Sequence, residues 1–401
     1  MTTTSRNPEK LPIAALSALA MTGFICIMTE TLPAGLLSEI SGGLNISEAL
    51  AGQTVTTYAL GSVVAAIPLT IATQGWNRRR VLLATILGFL FFNTLTALSS
   101  SYTLTLIARF AAGAAAGLAW SLLAGYARRM VVPALQGRAM AVAMVGTPVA
   151  LSLGVPLGTW LGNLLGWRLA FGSMSLLTLA LIAWVVVKVP DYPGQPKGQQ
   201  LRVLQVLKTP GILRVLGVVF TWMLAHNILY TYIAPFVAQA GIIERVDLIL
   251  LVFGLASLIG IWITGRIVDR HLRRAVLLSL AAFALISLVM GMNSHSAIAQ
   301  YLGVFVWGLS FGGAATLLQT ALADTAGAGA DAALSMNVVT WNSAIASGGI
   351  VGGILLDTQG AQSFAWAVFV LLLAALAIAA SARRNGFPQG ARSAGKTVLG
   401  H

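Results

Sequence analysis

Three ionisable side chains stand in stretches that otherwise hold almost none. Glu30 lies in FICIMTETLPAGLL (residues 24 to 37), Arg109 in LTLIARFAAGAAAGLAW, and His226 in LAHNILYTYIAPF. From Ile13 to Leu36 the sequence is apolar and, at about 20 residues or more, long enough to cross a bilayer as a helix. A carboxylate inside such a helix is costly and typically faces a cavity or the bundle interior. The chemistry open to Glu30 is reversible protonation while the protein changes shape. The alternative is a glutamate that snorkels to the interface or locks the helix by a hydrogen bond, although Glu39 already marks the aqueous side.

An arginine within a membrane helix wants a carboxylate or a carbonyl. Glu30 lies about six residues from the outer end of its helix and Arg109 about five from the outer end of its own. At about 1.5 Å per residue both sit some 8–9 Å below that surface, which makes Glu30 a candidate partner of Arg109. Trp120 shares the Arg109 face, extending a polar-aromatic stripe. A purely structural hydrogen-bond hub is the other role open to Arg109. His226, Asn227, Tyr230 and Tyr232 offer donors and acceptors at several angles, which suits a polar, uncharged ligand. Tyr58, Gln319, Asn337, Trp341 and Asn342 complete the expected cavity wall with Trp120, His226, Asn227 and Tyr230. A lone histidine is as often a satisfied interhelical contact.

The elements that must position these groups follow from composition. Of 401 residues 57% are hydrophobic and 9% charged, more apolar surface than a soluble domain can hide. The first apolar segment is too long for a signal peptide and lacks a small-residue cleavage site, so it reads as a retained helix. One cysteine, Cys26, and four histidines without ligand spacing give no disulfide framework, and no metal or cofactor is expected. Apolar spans recur about twelve times, near 13–36, 50–73, 81–98, 104–126, 139–160, 169–187, 212–237, 248–267, 275–292, 298–322, 333–356 and 364–381. A Pro- and Gly-rich linker, 188–211, separates an N-terminal bundle (1–187) from a C-terminal one (212–382), with a basic tail at 383–401.

The net charge of +13 is a topology signal rather than a nucleic-acid footprint. With both termini in the cytoplasm, nearly all Lys and Arg fall inside, Arg168 and Arg245 fall outside, and Arg109 lies within the membrane. A shift of 195 positions superposes Gly113 and Gly117 on Gly308 and Gly312, Gly154 and Gly158 on Gly349 and Gly353, and Arg78-Arg79 on Arg273-Arg274. Six helices separate equivalent points, so the halves keep one membrane orientation. That is the parallel repeat of a transporter, with its site near the midplane between them.

The stretch GRIVDRHLRR, Gly265 to Arg274, resembles the signature loop of the major facilitator superfamily, with Leu272 in place of its second glycine. A small residue such as Gly265 permits close helix approach. Asp269 can sit at a neighbouring helix N-terminus while Arg270, Arg273 and Arg274 pair across the cytoplasmic face, as a latch on the outward-open state. The first-half counterpart, TIATQGWNRRR, keeps Arg78 and Arg79 but has Gln74 in place of the Asp. Arg109 with its following small residues resembles the superfamily's membrane-arginine motif. VGTPVALSLGVPLGTWLG, with Gly146, Pro148, Gly154, Pro156 and Gly158, resembles the motif of its exporters, where glycines allow close packing and prolines bend the helix.

With TETLPAGLLSEIS, ISEALAGQTVTTYALG and GWRLAFG, the chain resembles the twelve-helix drug:proton antiporter family, and within it the sugar and nucleoside (arabinose- and purine-nucleoside-type) efflux permeases. The resemblance implies an all-α membrane protein with the major facilitator fold, twelve transmembrane helices in two pseudo-symmetric six-helix bundles. It further implies a proton-coupled antiporter that exports a small organic solute, a sugar or nucleoside, by alternating access. A hydrophobic drug-like substrate is the alternative. Implied partners are that solute, protons and the lipid bilayer, with no nucleic acid and a monomeric state, in a bacterial cytoplasmic membrane. An intramembrane enzyme lacks support, for want of paired carboxylates, a metal cluster or a nucleophile–base pair.

Overall fold

The computed structural model describes residues 10–73, 75–132, 136–194 and 203–388. Gln74, part of the 188–211 linker and the tail from 389 lie outside the described residues, as does the side chain of Asp269. Helices account for nearly all that is described, and among those residues there is no strand. The long ones, in chain order, are α1 (Ile13–Gly35), α2 (Glu48–Ala72), α3 (Arg78–Leu98), α4 (Tyr102–Arg129), α5 (Val142–Leu165) and α6 (Trp167–Lys188). The second half supplies α7 (Ile212–Thr231), α8 (Ile243–Val268), α9 (Arg270–Met292), α10 (Ala297–Ala326), α11 (Ala330–Gln359) and α12 (Ser363–Ser381). Eleven of these are long and apolar enough to cross a membrane, and α2, with 25 residues, packs between α4 and α11. Large apolar side chains such as Phe91, Leu98, Leu176, Val187, Leu278 and Ile298 point outward, which suits lipid and not water.

Prolines and caps explain most departures from straight helices. Pro33 lies inside α1, which stops at Gly35 and continues after a break as a short helix, Leu37–Leu44. Helix α7 is shorter than the 212–237 span expected from sequence. Pro235 cannot donate to the carbonyl four residues back, the chain leaves helical geometry at Tyr232, and a short helix, Ile233–Ala238, resumes. In α5 a π-turn at Ala150–Gly154 lies between Pro148 and Pro156. The stretch after Gly265, read as a loop, is largely helical. Helices α8 and α9 run on through it, with only His271 off helical values inside (φ −135°, ψ 32°), because the arginine run contains no further glycine or proline to break it.

The repeat is present as packing. A Cβ on Gly113 would strike the Tyr58 carbonyl and one on Gly117 the Ser62 carbonyl, where α4 crosses α2. One on Gly308 would strike the Phe253 carbonyl and one on Gly312 the Ser257 carbonyl, where α10 crosses α8. All four pairs differ by the same 195 positions. At the Arg-rich end the equivalence slips by one. Arg79 donates to the Val186 and Val189 carbonyls ending α6, and Arg273, not Arg274, to Ala379 and Ala380 ending α12 and to Phe387 beyond it. Each arginine thereby satisfies carbonyls that a helix C-terminus leaves without partners. Asp191, just past α6, accepts from the Arg79 N–H at 3.1 Å and so caps α3 in turn.

Candidate functional site

Pro33 sets up the centre of the first half. Having no N–H, it leaves the Thr29 carbonyl in α1 without its helical donor. Arg109, fully buried on α4, fills that vacancy with Nη1, while Nη2 reaches the Glu30 carbonyl at 3.3 Å and Nε the Thr54 carbonyl of α2 at 3.1 Å. The guanidinium lies 4.8 Å from the Tyr58 ring centroid and 5.7 Å from that of Phe171, both within cation–π range. Its partners are therefore main-chain oxygens, and among the described contacts it forms no ion pair with the Glu30 carboxylate. Arginine can serve three carbonyls at once because its donors are spread over a rigid plane. The expected Glu30–Arg109 pair is thus, among the described contacts, one between Arg109 and the Glu30 backbone carbonyl.

Thr29, the residue before Glu30, is also held from its side chain. Asn93 of α3, fully buried, donates to Thr29 Oγ1 at 2.9 Å. Glu30 is buried, with 6% of its surface open, on the helix that meets α7 across the seam between the halves. Across that seam the Tyr230 hydroxyl approaches Thr31 without completing a well-aligned hydrogen bond. Glu30 thus sits on a stretch of α1 fastened by Arg109 and Asn93.

Tyr58 does not line a cavity. It is fully buried, donates to the Cys26 carbonyl at 3.0 Å, and packs between α1 and Arg109. Trp120 is half-buried against Gly23 of α1. Asn227 and Asn342 are buried and donate to their own helices, at Met223 and Val338. Asn337 is buried with its carbonyl oxygen unpartnered, Trp341 is half-buried, and Gln319 is exposed.

His226 sits in an aromatic cage. Its ring stacks on Phe311 at 3.6 Å and 3°, with Tyr230, Phe253 and Trp307 at 5.2, 5.7 and 5.3 Å. The Trp307 indole donates to Nδ1 at 3.2 Å, so that nitrogen is an acceptor and the ring is held as the neutral Nε2–H tautomer. The cage residues Phe253, Trp307 and Phe311 were not singled out in the sequence, where aromatic residues in apolar spans look like ordinary core.

Of the expected gating residues, Gly265 has open space about it, and Arg270 and Arg274 are exposed. The Arg78 backbone N–H donates to Tyr192. Arg79 and Arg273 cap helices of their own halves, so no contact described here joins the two halves through these arginines. The described hydrogen bonds that join the halves lie at the opposite end and involve Gln53 and Tyr232, neither of them an expected gating residue. Gly154 rests on Phe24 and Met28 of α1, Gly158 on Leu32, and Pro156 begins the stretch of α5 after the π-turn.

A purine ribonucleoside efflux pump of Shigella sonnei is 29% identical over 377 residues, covering 92% of this chain and 94% of that one. A pump of the same description from Escherichia coli strain K12 is 30% identical over 356 residues, covering 87% and 89%. Among solved structures, the E. coli xylose transporter XylE in a partially occluded inward-open conformation superposes with a TM-score of 0.73. At 14% identity it covers 93% of this chain and 99% of that one, a likeness of fold alone. The family model described as Major Facilitator Superfamily matches residues 19–333. Twelve helices whose glycine crossings repeat at one offset, an arginine buried among helix carbonyls and a match over most of its length agree: the chain belongs to the Major Facilitator Superfamily.

Proposed function

We propose that this multi-pass membrane transporter exports a purine nucleoside or a closely similar polar solute, driven by protons entering in exchange. The observation that carries the substrate reading is likeness, at 29–30% identity over about nine-tenths of both chains, to proteins described as purine ribonucleoside efflux pumps. The Tyr230 hydroxyl on α7 and the Asn337 side-chain carbonyl on α11, both without a partner among the described contacts, suit a neutral ligand with polar edges. Proton coupling is supported by Glu30, a carboxyl group at the seam of the two halves with no side-chain partner among the described contacts.

Each step falls to a particular residue. With its carboxyl protonated, Glu30 carries no charge into the apolar seam, and the halves can close over it. Once ionised it is stable only with water or a solute's polar groups beside it. Arg109 and Asn93 keep α1 fixed while this happens. One proton entering down about 100 mV and one pH unit releases about 3.7 kcal/mol, enough for a roughly 500-fold gradient of a neutral solute exchanged one for one. The Arg-rich ends face the cytoplasm of a bacterial inner membrane, both termini lie there, and the protein works as a monomer.

The test is uptake into inside-out vesicles under an imposed pH gradient, with labelled inosine, guanosine, arabinose and a cationic dye offered in turn. Accumulation of the purine nucleosides, abolished by a protonophore, is expected. Accumulation of the dye alone would replace this reading with drug efflux.

A further inference from the structure

Tyr232 fills the break between α7 and the short helix Ile233–Ala238, with no exposed surface. Its ring occupies a slot made by missing side chains. A Cβ on Gly52 of α2, or on Gly352 or Gly353 of α11, would run into it. The hydroxyl accepts from Gln53 Nε2 at 3.3 Å and lies 2.8 Å from the Gly349 carbonyl and 3.2 Å from the Ala49 carbonyl. Gln53 Nε2 also reaches the Gly349 carbonyl, at 3.1 Å. Ala49, Gly52 and Gln53 belong to the first six helices, and Tyr232 with the α11 glycines to the second six.

We propose that Tyr232 and Gln53 form the gate contact that holds the two halves together at the end opposite the Arg clusters, and that this contact breaks each time the protein opens there. The partners are divided so that it can break cheaply. When α2 moves away, Tyr232 keeps the Gly349 carbonyl, which belongs to its own half. It loses Gln53 and Ala49, and Gln53 loses the Gly349 carbonyl, so every contact given up is a neutral one. The glycine slot supplies the specificity, because a planar ring fits between backbones that no side chain separates. Loss of a neutral hydrogen bond shifts such an equilibrium roughly two- to twelvefold, strong enough to bias a gate and weak enough to cycle.

Pulsed electron spin resonance on the full chain in lipid nanodiscs tests this, with nitroxide labels on Gly42→Cys and Glu244→Cys. Both positions are exposed at that end, one in each half, and Gly42 has open space for a side chain. The buried Cys26 stays unlabelled. Tyr232→Phe keeps the ring in its slot and removes the hydroxyl. It should raise the longer-distance population roughly fivefold, with the chain still folded. Gln53→Ala should move the distribution in the same direction, and the double variant no further than the sum of its lost contacts. An unchanged distribution in Tyr232→Phe, or a shift that Gln53→Ala does not share, overturns the proposal.

Discussion

The two halves build the same helix crossings and fill them with opposite chemistry. Tyr58 and Gly113 in the first half stand where Phe253 and Gly308 stand in the second, 195 positions on, with the same backbone contact between them. Around that contact the first half has Ala112 and Ala116, whose small side chains leave room for the Arg109 guanidinium. The second half has Trp307 and Phe311 at those places, Val304 in place of Arg109 and Ala225 in place of Glu30. Where α1 carries Thr31, α7 carries His226, sealed among rings. On the proposed reading one charge moves, so one half has to tolerate it and the other can be an apolar wall. The crossings repeat between the halves, and the side chains between them do not.

The largest effect is expected where the polar half is cut. Arg109→Ala leaves the Thr29 carbonyl beside Pro33 without a donor and empties a buried space. It should cost about 3 kcal/mol or more and lower the thermal midpoint in detergent sharply. Arg109→Lys, which cannot reach three carbonyls from one plane, should recover little. If the lysine variant were as stable as the parent, the carbonyl hub would be wrong.

A smaller change should follow in the apolar half. His226→Phe keeps a flat ring against Phe311 and gives up one hydrogen bond, at a cost of about 1 kcal/mol. The pH profile of transport should keep its midpoint, because the caged ring exchanges no proton in the cycle. A displaced midpoint would make the cage a titrating site and erase the contrast between the halves.

The smallest effect belongs outside the membrane, at Glu39 in the helix Leu37–Leu44. Burial raises its carboxyl above the ordinary range, the nearby Glu48 adds to that, and its backbone hydrogen bond opposes both. Because the folded form holds the proton more tightly than the unfolded one, stability falls as pH rises through that window, and the ionised group is a net cost at neutral pH. Glu39→Gln should raise the thermal midpoint slightly at pH 7 and not at all in acid, read by a melting series across pH.

Much of this architecture is legible in the sequence. Apolar spans of the right length, glycines at one offset and an arginine run at alternate connections need no side-chain geometry to interpret. What stays hidden follows from three-dimensional sharing of partners. That Arg109 serves carbonyls and not a carboxylate depends on Pro33 being one turn past Thr29, on another helix. Depth counting placed Arg109 and Glu30 at the same level and took the wrong atom for the partner. Tyr58 has the polar tip of a cavity residue, yet a carbonyl at Cys26 satisfies it within the core. Asn93 was legible only as a lone amide in FLFFNTLTAL, and nothing in the sequence points it at Thr29. Tyr232 is recognisable as a gate only when the glycines of α2 and α11 are seen around it.

On the proposed reading Glu30 alone carries the proton. Glu30→Gln mimics the protonated carboxyl and removes the exchange step, so the variant should still bind solute and perform downhill counterflow. In proteoliposomes under an imposed pH gradient it should show no accumulation of labelled inosine above equilibrium, against a many-fold accumulation in the parent, and its counterflow should not vary with pH near neutrality. Sustained uphill accumulation by Glu30→Gln would contradict the account and move the proton to another group.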